Sequence, residues 1–348
     1  MKTDLLNLAH VIARNFRIAT LVLLPALLFL PHACRGQSRL QRAETGKNVV
    51  FKHGELQRDY RIHVPKNLQE GRKYPLVVSL HGGGGNSRIA SAMGLSTIAD
   101  REKFIVVYPN AINKHWNDGR NSPMFAEQDS KVADVEFVIQ LIKNLEQNHP
   151  IDPERIFVTG FSNGGFMSQR LIIEHSDIFA GAGIVIASLG KPLSRRFQPK
   201  CPVSVVFVNG TEDPLVPYEG GPVGKSLGWR LNQVKGEKEA PRGRCIATDK
   251  AVELWVRHNQ VESKPVLEKL ADKDETDGST IEYYHWKNGK QGTSVALYKV
   301  IGGGHGIPGG SQYLPKRVVG RINQDINGLE IIWDFFKNHA RNVKVDGA

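Results

Sequence analysis

With 348 residues, 40% of them apolar and 23% charged, the chain has enough core-forming side chains for one large α/β domain or two small ones, which excludes a disordered or fibrous polypeptide. A formal charge of +11 either serves general solubility, the simpler reading, or favours contact with anionic surfaces such as cell-envelope polymers or acidic polysaccharides. No basic run interleaved with aromatic residues is present, so nucleic acid is not an expected partner.

The first recognisable element is the apolar run Ile18–Leu30, preceded by Lys2, Arg14 and Arg17 and followed by Cys34-Arg35-Gly36. A basic start, a short apolar stretch and a small-residue end are the anatomy of a signal peptide. Pro25 interrupts the run, which is also shorter than the ~20 residues that cross a bilayer comfortably. The expectation is a leader over residues 1–36, a single domain over residues 37–348, a secreted or periplasmic location and no permanent membrane span. Lipid attachment at Cys34 is disfavoured, because Pro31-His32-Ala33 lacks an aliphatic residue three positions upstream. Loss of Lys2, Arg14, Arg17, Arg35 and Asp4 with the leader would lower the formal charge from +11 to +8. Cys201 and Cys245 would then remain, either bridged or as two free thiols.

From Val49 onward short β-rich segments alternate with helical ones, the pattern of a mostly parallel sheet covered by helices on both faces. Strands are expected at Val49–Phe51 and Tyr60–Val64, then at the continuous apolar runs Leu76–Leu80 and Phe104–Tyr108, which read as buried core strands. Val132, Val135, Val138, Ile142 and Leu145 recur at helical spacing and predict a helix from about Asp129 to Asn148, capped by Asp129 or Ser130. Arg155–Thr159 reads as a strand and Phe166–Ile173 as a helix. Val203–Phe207 reads as a strand, residues 248–259 as a helix, Thr280–Trp286 and Val295–Ile301 as strands, and residues 328–338 as a closing helix. Lys225–Arg244 is rich in charge and glycine and reads as a surface loop, either inert or a rim of the binding cleft.

Between the strand and helix around residue 160 lies Gly160-Phe161-Ser162-Asn163-Gly164. A strand that turns sharply into a helix strains the serine backbone and holds its hydroxyl above the sheet edge, so small residues must flank it. A chain of this length would contain about 0.1 to 0.2 such matches by chance, so partners are needed. They follow in the order serine, acid, histidine. Asp213 lies just past the strand at Val203, with Glu212 as the neighbouring alternative. His305 lies directly after Val295–Ile301, in Ile301-Gly302-Gly303-Gly304-His305-Gly306. Such a carboxylate can fix the tautomer of the histidine, and the glycines let a loop bring the ring close to Ser162. Gly304, Gly306 and Gly309 also match a dinucleotide fingerprint, but Pro308 and the lack of a following helix argue against it. Leu80-His81-Gly82-Gly83-Gly84-Gly85-Asn86 follows a core strand and is expected to supply one oxyanion donor at Gly83, with the backbone N–H of Asn163 as the other. It lacks the Lys-Ser/Thr ending of a phosphate loop.

These residues resemble the polyhydroxybutyrate depolymerase-like esterases, a secreted α/β-hydrolase group that includes feruloyl and acetylxylan esterases. The matching pieces are the loop Leu80–Asn86, Trp116-Asn117-Asp118-Gly119-Arg120, Ile151–Arg155, the turn Gly160–Gly165, Asp213 with Val216-Pro217-Tyr218, and Gly302–His305, over about Tyr60 to His339. The resemblance implies the α/β-hydrolase fold, Ser162 as nucleophile, His305 as base and Asp213 as its orienting acid. Relatives often carry Thr-Trp after this histidine, where this chain has Gly306-Ile307, so a feruloyl preference is not carried over. Trp116 and Ile307 are the candidate substrate-lining residues, with core packing as the alternative for Trp116. The expected activity is hydrolysis of small, oligomeric or polysaccharide-linked carboxylic esters through an acyl-enzyme, with no metal or organic cofactor. A peptidase, a thioesterase or a non-catalytic envelope binding protein on the same scaffold are the alternatives.

Overall fold

The computed structural model describes residues 47–224 and 240–341. The leader expected over residues 1–36, Cys34 with it, and residues 225–239 of the expected surface loop lie outside the described residues. Ten strands form one sheet: β1 (Lys47–His53), β2 (Leu56–His63), β3 (Tyr74–Leu80), β4 (Ile105–Pro109), β5 (Ile151–Phe161), β6 (Gly181–Val185), β7 (Ser204–Gly210), β8 (Val266–Lys269), β9 (Thr280–Trp286) and β10 (Val295–Ile301). Their order across the sheet is β1-β2-β4-β3-β5-β6-β7-β10-β9-β8. From β4 to β10 neighbours run parallel, and antiparallel pairs close both edges.

Alternation along the parallel strands divides their side chains between two cores. In β3, Leu76, Val78 and Leu80 face one side and Val77 the other. In β7, Val205 and Phe207 oppose Val206 and Val208 in the same way, as the two-residue period of extended backbone requires. Every residue of both strands is buried, because helices cover both faces. The principal helices are α1 (Leu95–Glu102), α2 (Asp134–Asn148), α3 (Asn163–Glu174), α4 (Thr248–Asn259) and α5 (Gly328–Phe336). Helices α2, α3 and α4 pack on the first face, α1 and α5 on the second. Phe336 of α5 is fully buried and stacks on Phe157 at 4.6 Å between centroids; truncating it to alanine is expected to cost about 3–5 kcal/mol. Among the described residues no helix is long and apolar enough to cross a membrane.

Three local expectations are corrected. The helix expected from Asp129 to Asn148 is broken: a short turn spans Ala126–Lys131, Val132 is extended, and α2 starts at Asp134 without a side-chain cap. Neither Asp129 nor Ser130 caps it. Asp134 is engaged instead by Arg58, whose Nη2 donates to Oδ1 at 2.7 Å, and by the N–H of Asn117, which donates to Oδ2 at 2.8 Å. Strands β6 and β8 were not foreseen. At the end of the expected surface loop, Arg244-Cys245 forms a two-residue ladder with Gly221-Pro222.

Of the three cysteines in the chain, Cys201 and Cys245 lie among the described residues, and both are free. Cys201 precedes β7 and its N–H is bonded to Ser176 Oγ at 2.9 Å. The backbone of Cys245 forms an isolated antiparallel β-bridge with Gly190, and its Sγ lies against the carbonyls of Pro217 and Gly221, beyond the opposite end of β7. A seven-residue strand at ~3.3 Å per residue keeps them much further apart than a disulfide allows.

Candidate active site

Ser162 occupies the junction of β5 and α3 with φ 55 and ψ −117, a left-handed conformation that costs an L-residue energy. Its N–H donates to Val185 O at 3.0 Å, tying the turn to the end of β6. The end of β3 presses on the same turn, since a Cβ at Gly164 would lie 2.4 Å from Leu80 O. Glycine is obligatory there because backbone meets backbone.

Asp213 and His305 follow β7 and β10, which pair in parallel, so both emerge at the sheet edge that carries Ser162. His305 Nδ1 and Asp213 Oδ2 are 2.7 Å apart, with both side chains almost fully buried. The other carboxylate oxygen accepts from the N–H groups of Leu215 and Val216, each at 2.8 Å. A carboxylate so held accepts the Nδ1 proton and leaves the lone pair on Nε2. Glu212 does not compete: its carboxylate is exposed and meets Arg321 at 3.4 Å. The main chain of His305 is fixed as well, with its N–H donating to Val319 O at 2.5 Å and its carbonyl accepting from Tyr313 Oη at 2.8 Å. The structure therefore joins His305 to Asp213 directly. Among the described residues it forms no hydrogen bond between Ser162 Oγ and His305, a contact that commonly closes only when substrate is bound.

The glycine loop after β3 lies against the turn. A Cβ on Gly82 would be 3.7 Å from Ser162 Cβ, and one on Gly83 would be 3.5 Å from Asn163 Cβ. The N–H groups of Gly83 and Asn163 donate to no backbone acceptor among the described residues, and that of Asn163 is the orphan donor expected at the first position of a helix. His81 holds the loop. The Ala111 N–H donates to its Nε2 at 3.1 Å while Nδ1 donates to Gly82 O at 2.8 Å, which sets the neutral tautomer. Burial pushes the His81 pKa down to about 4.

Trp116 is corrected from a substrate-lining residue to a supporting one. It is fully buried, its Nε1 donates to His81 O at 2.9 Å, and its ring packs on His81 at 5.0 Å. No face is left for a ligand. Ile307 is 9% exposed and packs against Gly328 in the second core, so it too offers little surface to a substrate. The residues missed in the sequence are those that clamp Asn163. Its Nδ2 donates to Asp118 Oδ2 at 2.6 Å and to Trp116 O at 3.0 Å, and its Oδ1 accepts from the Trp116 N–H at 2.9 Å. Asp118 in turn pairs with the buried Arg120 at 2.7 Å. Asp118 and Arg120 stood in a family-matching segment, but nothing local in the sequence assigned them to Asn163. Cys245 is no nucleophile candidate, since burial pushes its thiol up to about 11.

Comparison with known proteins finds likenesses to esterases. The model described as Esterase PHB depolymerase matches residues 59–191, a segment that holds the glycine loop, the clamp and the Ser162 turn. The match leaves residues 192–348, with Asp213 and His305, outside it. The chain is 29% identical to a putative esterase, NocK, of Nocardia uniformis subsp. tsuyamanensis, over 80% of this chain and 78% of that protein. It is 28% identical to poly(3-hydroxyalkanoate) depolymerase C of Paucimonas lemoignei, over 71% of this chain and 58% of that protein. With feruloyl esterase B of Piromyces equi it shares 26% identity, over 70% and 42% respectively. The chain thus spans about half the length of the latter two relatives. Among solved structures, the acetyl xylan esterase of Aspergillus awamori superposes with a TM-score of 0.51 at 14% identity, covering 84% of this chain and all of that one. That likeness establishes a shared α/β-hydrolase fold around the esterase PHB depolymerase segment.

Proposed function

We propose that the protein is a secreted serine esterase that hydrolyses carboxylic esters through an acyl-enzyme. The observation that carries this reading is the His305–Asp213 hydrogen bond at the sheet edge that also bears the strained Ser162. In the proposed cycle His305 Nε2 takes the Ser162 hydroxyl proton as Oγ bonds to the ester carbonyl carbon. The N–H groups of Gly83 and Asn163 stabilise the resulting oxyanion, each donor being worth roughly 2.7–4 kcal/mol in the transition state. As the tetrahedral intermediate collapses, the C–O bond to the alcohol breaks and His305 returns the proton to the leaving alkoxide. Water, activated by the same imidazole, then releases the acid and restores Ser162. Secretion rests on the basic-apolar-small pattern of residues 1–36.

A fluorophosphonate probe tests the reading. Wild type should be labelled at Ser162 and Ser162→Ala should not, with ester hydrolysis lost in parallel. A folded wild-type protein that takes no label would remove the nucleophile and favour a binding scaffold. A panel of short-chain acyl esters, acetylated sugars, feruloyl esters and hydroxybutyrate oligomers, run beside peptide and thioester substrates, would identify the substrate class.

A further inference from the structure

Residues 310–320 form a strap that runs past His305, and Tyr313 stands in it. The far end of the strap lies alongside the histidine: Val319 O accepts the His305 N–H at 2.5 Å, and the Gly304 N–H donates to Arg321 O at 2.7 Å. Gly320 comes so close that a Cβ there would lie 2.6 Å from Gly304 Cα. Gln312 closes the strap on itself, its Nε2 donating to Leu314 O at 2.7 Å and to Gly320 O at 3.0 Å. Tyr313 is 46% exposed, yet its hydroxyl turns inward and donates to His305 O at 2.8 Å. The peptide groups on either side of the His305 Cα are thereby tied to one strap.

Two features set Tyr313 apart from an ordinary loop anchor. Its side chain stands half in solvent and so adds little to the core, while its hydrogen bond falls on the residue whose Nδ1 meets Asp213 at 2.7 Å. Burial and the negative charge of Asp213 push the phenol pKa up. The hydroxyl therefore stays protonated, and stays a donor, across the whole range in which an imidazole can act as a base. The direction of a Cα–Cβ bond follows the peptide planes on both sides of it, and a reacting group displaced by about 1 Å can lose on the order of 10²-fold in rate. Asp213 holds the ring of His305; the strap holds the backbone from which that ring projects. We infer that Tyr313 is a positioning residue of the esterase site, its hydroxyl holding the His305 main chain so that Nε2 is presented to Ser162. The inference rests on the esterase reading above and extends it to a residue outside the triad.

Tyr313→Phe removes one hydroxyl and keeps the ring. On a p-nitrophenyl acyl ester its kcat should fall on the order of 3- to 10-fold, the range that loss of one neutral hydrogen bond allows, with KM held within about twofold. Labelling of Ser162 by a fluorophosphonate should slow by the same factor, because the imidazole activates the hydroxyl in both reactions. The melting temperature should move by no more than about 2 °C. Wild-type kcat and labelling rate in Tyr313→Phe would overturn the inference. So would a variant in which fewer molecules take the label but those that do turn over at the wild-type rate, the mark of a purely structural tie. Should Tyr313→Phe not fold, Tyr313→Leu carries the same comparison, and failure of both to fold would make the tie structural and overturn the inference as well. A wild-type protein that neither hydrolyses esters nor takes the label defeats the esterase reading itself, whereas a labelled wild type beside an unaffected Tyr313→Phe defeats the positioning role alone.

Discussion

Asn163 and Asp118 are joined by a 2.6 Å hydrogen bond from Nδ2 to Oδ2, which links the residue after Ser162 to a buried carboxylate that already holds Arg120. The backbone N–H proposed as an oxyanion donor belongs to a residue whose side chain cannot turn without breaking this bond and those to Trp116. Asp118→Ala should lower kcat at least about tenfold with little change in KM, since the donor is used only in the transition state. It should also cost about 3–5 kcal/mol of stability by leaving buried Arg120 unpaired. Urea titration and steady-state kinetics read the two effects separately. Equal kinetic constants in the variant would remove the clamp from the mechanism.

Asp213→Asn keeps the volume of the acid but can donate to the ring, which favours the wrong imidazole tautomer. A loss of kcat on the order of 10^3- to 10^4-fold is expected, with the fold retained. Glu212→Gln, at an exposed side chain, should stay near wild type. Reversed sensitivities would transfer the acid role to Glu212.

His81 predicts an acid-sensitive fold. Its pKa is about 4 in the folded protein against 6.5 in a free chain. Between those values the unfolded state binds more protons, so the contribution is complete above pH 6.5, falls as pH drops toward 4 and is flat below. The loss from this residue is up to about 3 kcal/mol. Burial likewise lowers His285, to about 4, and His339. His81→Gln should therefore flatten only part of the slope of unfolding free energy against pH across this window. Identical slopes would show that His81 is protonated in the folded state.

Trp116→Phe removes the indole N–H bond to His81 O while keeping an aromatic ring in the core. Because a buried carbonyl loses its donor, about 1–3 kcal/mol of stability should go. Relative activity on small and bulky esters should not change, since no part of the ring reaches solvent. A shift in substrate preference would restore Trp116 to the cleft wall.

The residues proposed for the chemistry were more legible in the sequence than those that support them. Ser162, Asp213 and His305 stand at strand ends beside turn-forming residues, signals that local sequence carries. The clamp on Asn163 joins residues 45 positions apart, and a polar contact across that distance has no period to detect. Strand β6 escaped because Gly181, Ala182 and Gly183 have low strand propensity; a Cβ at Gly183 would lie 2.8 Å from Thr159 Oγ1, so tertiary packing selects glycine there. The helix expected from Asp129 began late because Asp134 is drawn to Arg58 and Asn117.

Cys201 and Cys245 lie unlinked beyond opposite ends of β7. The described fold accordingly gains nothing from a covalent bond between these two thiols, and pairing them would require it to rearrange. Chains synthesised in a reducing cytosol and chains delivered to an oxidising exterior should reach the same conformation, and dithiothreitol should leave the melting curve where it was.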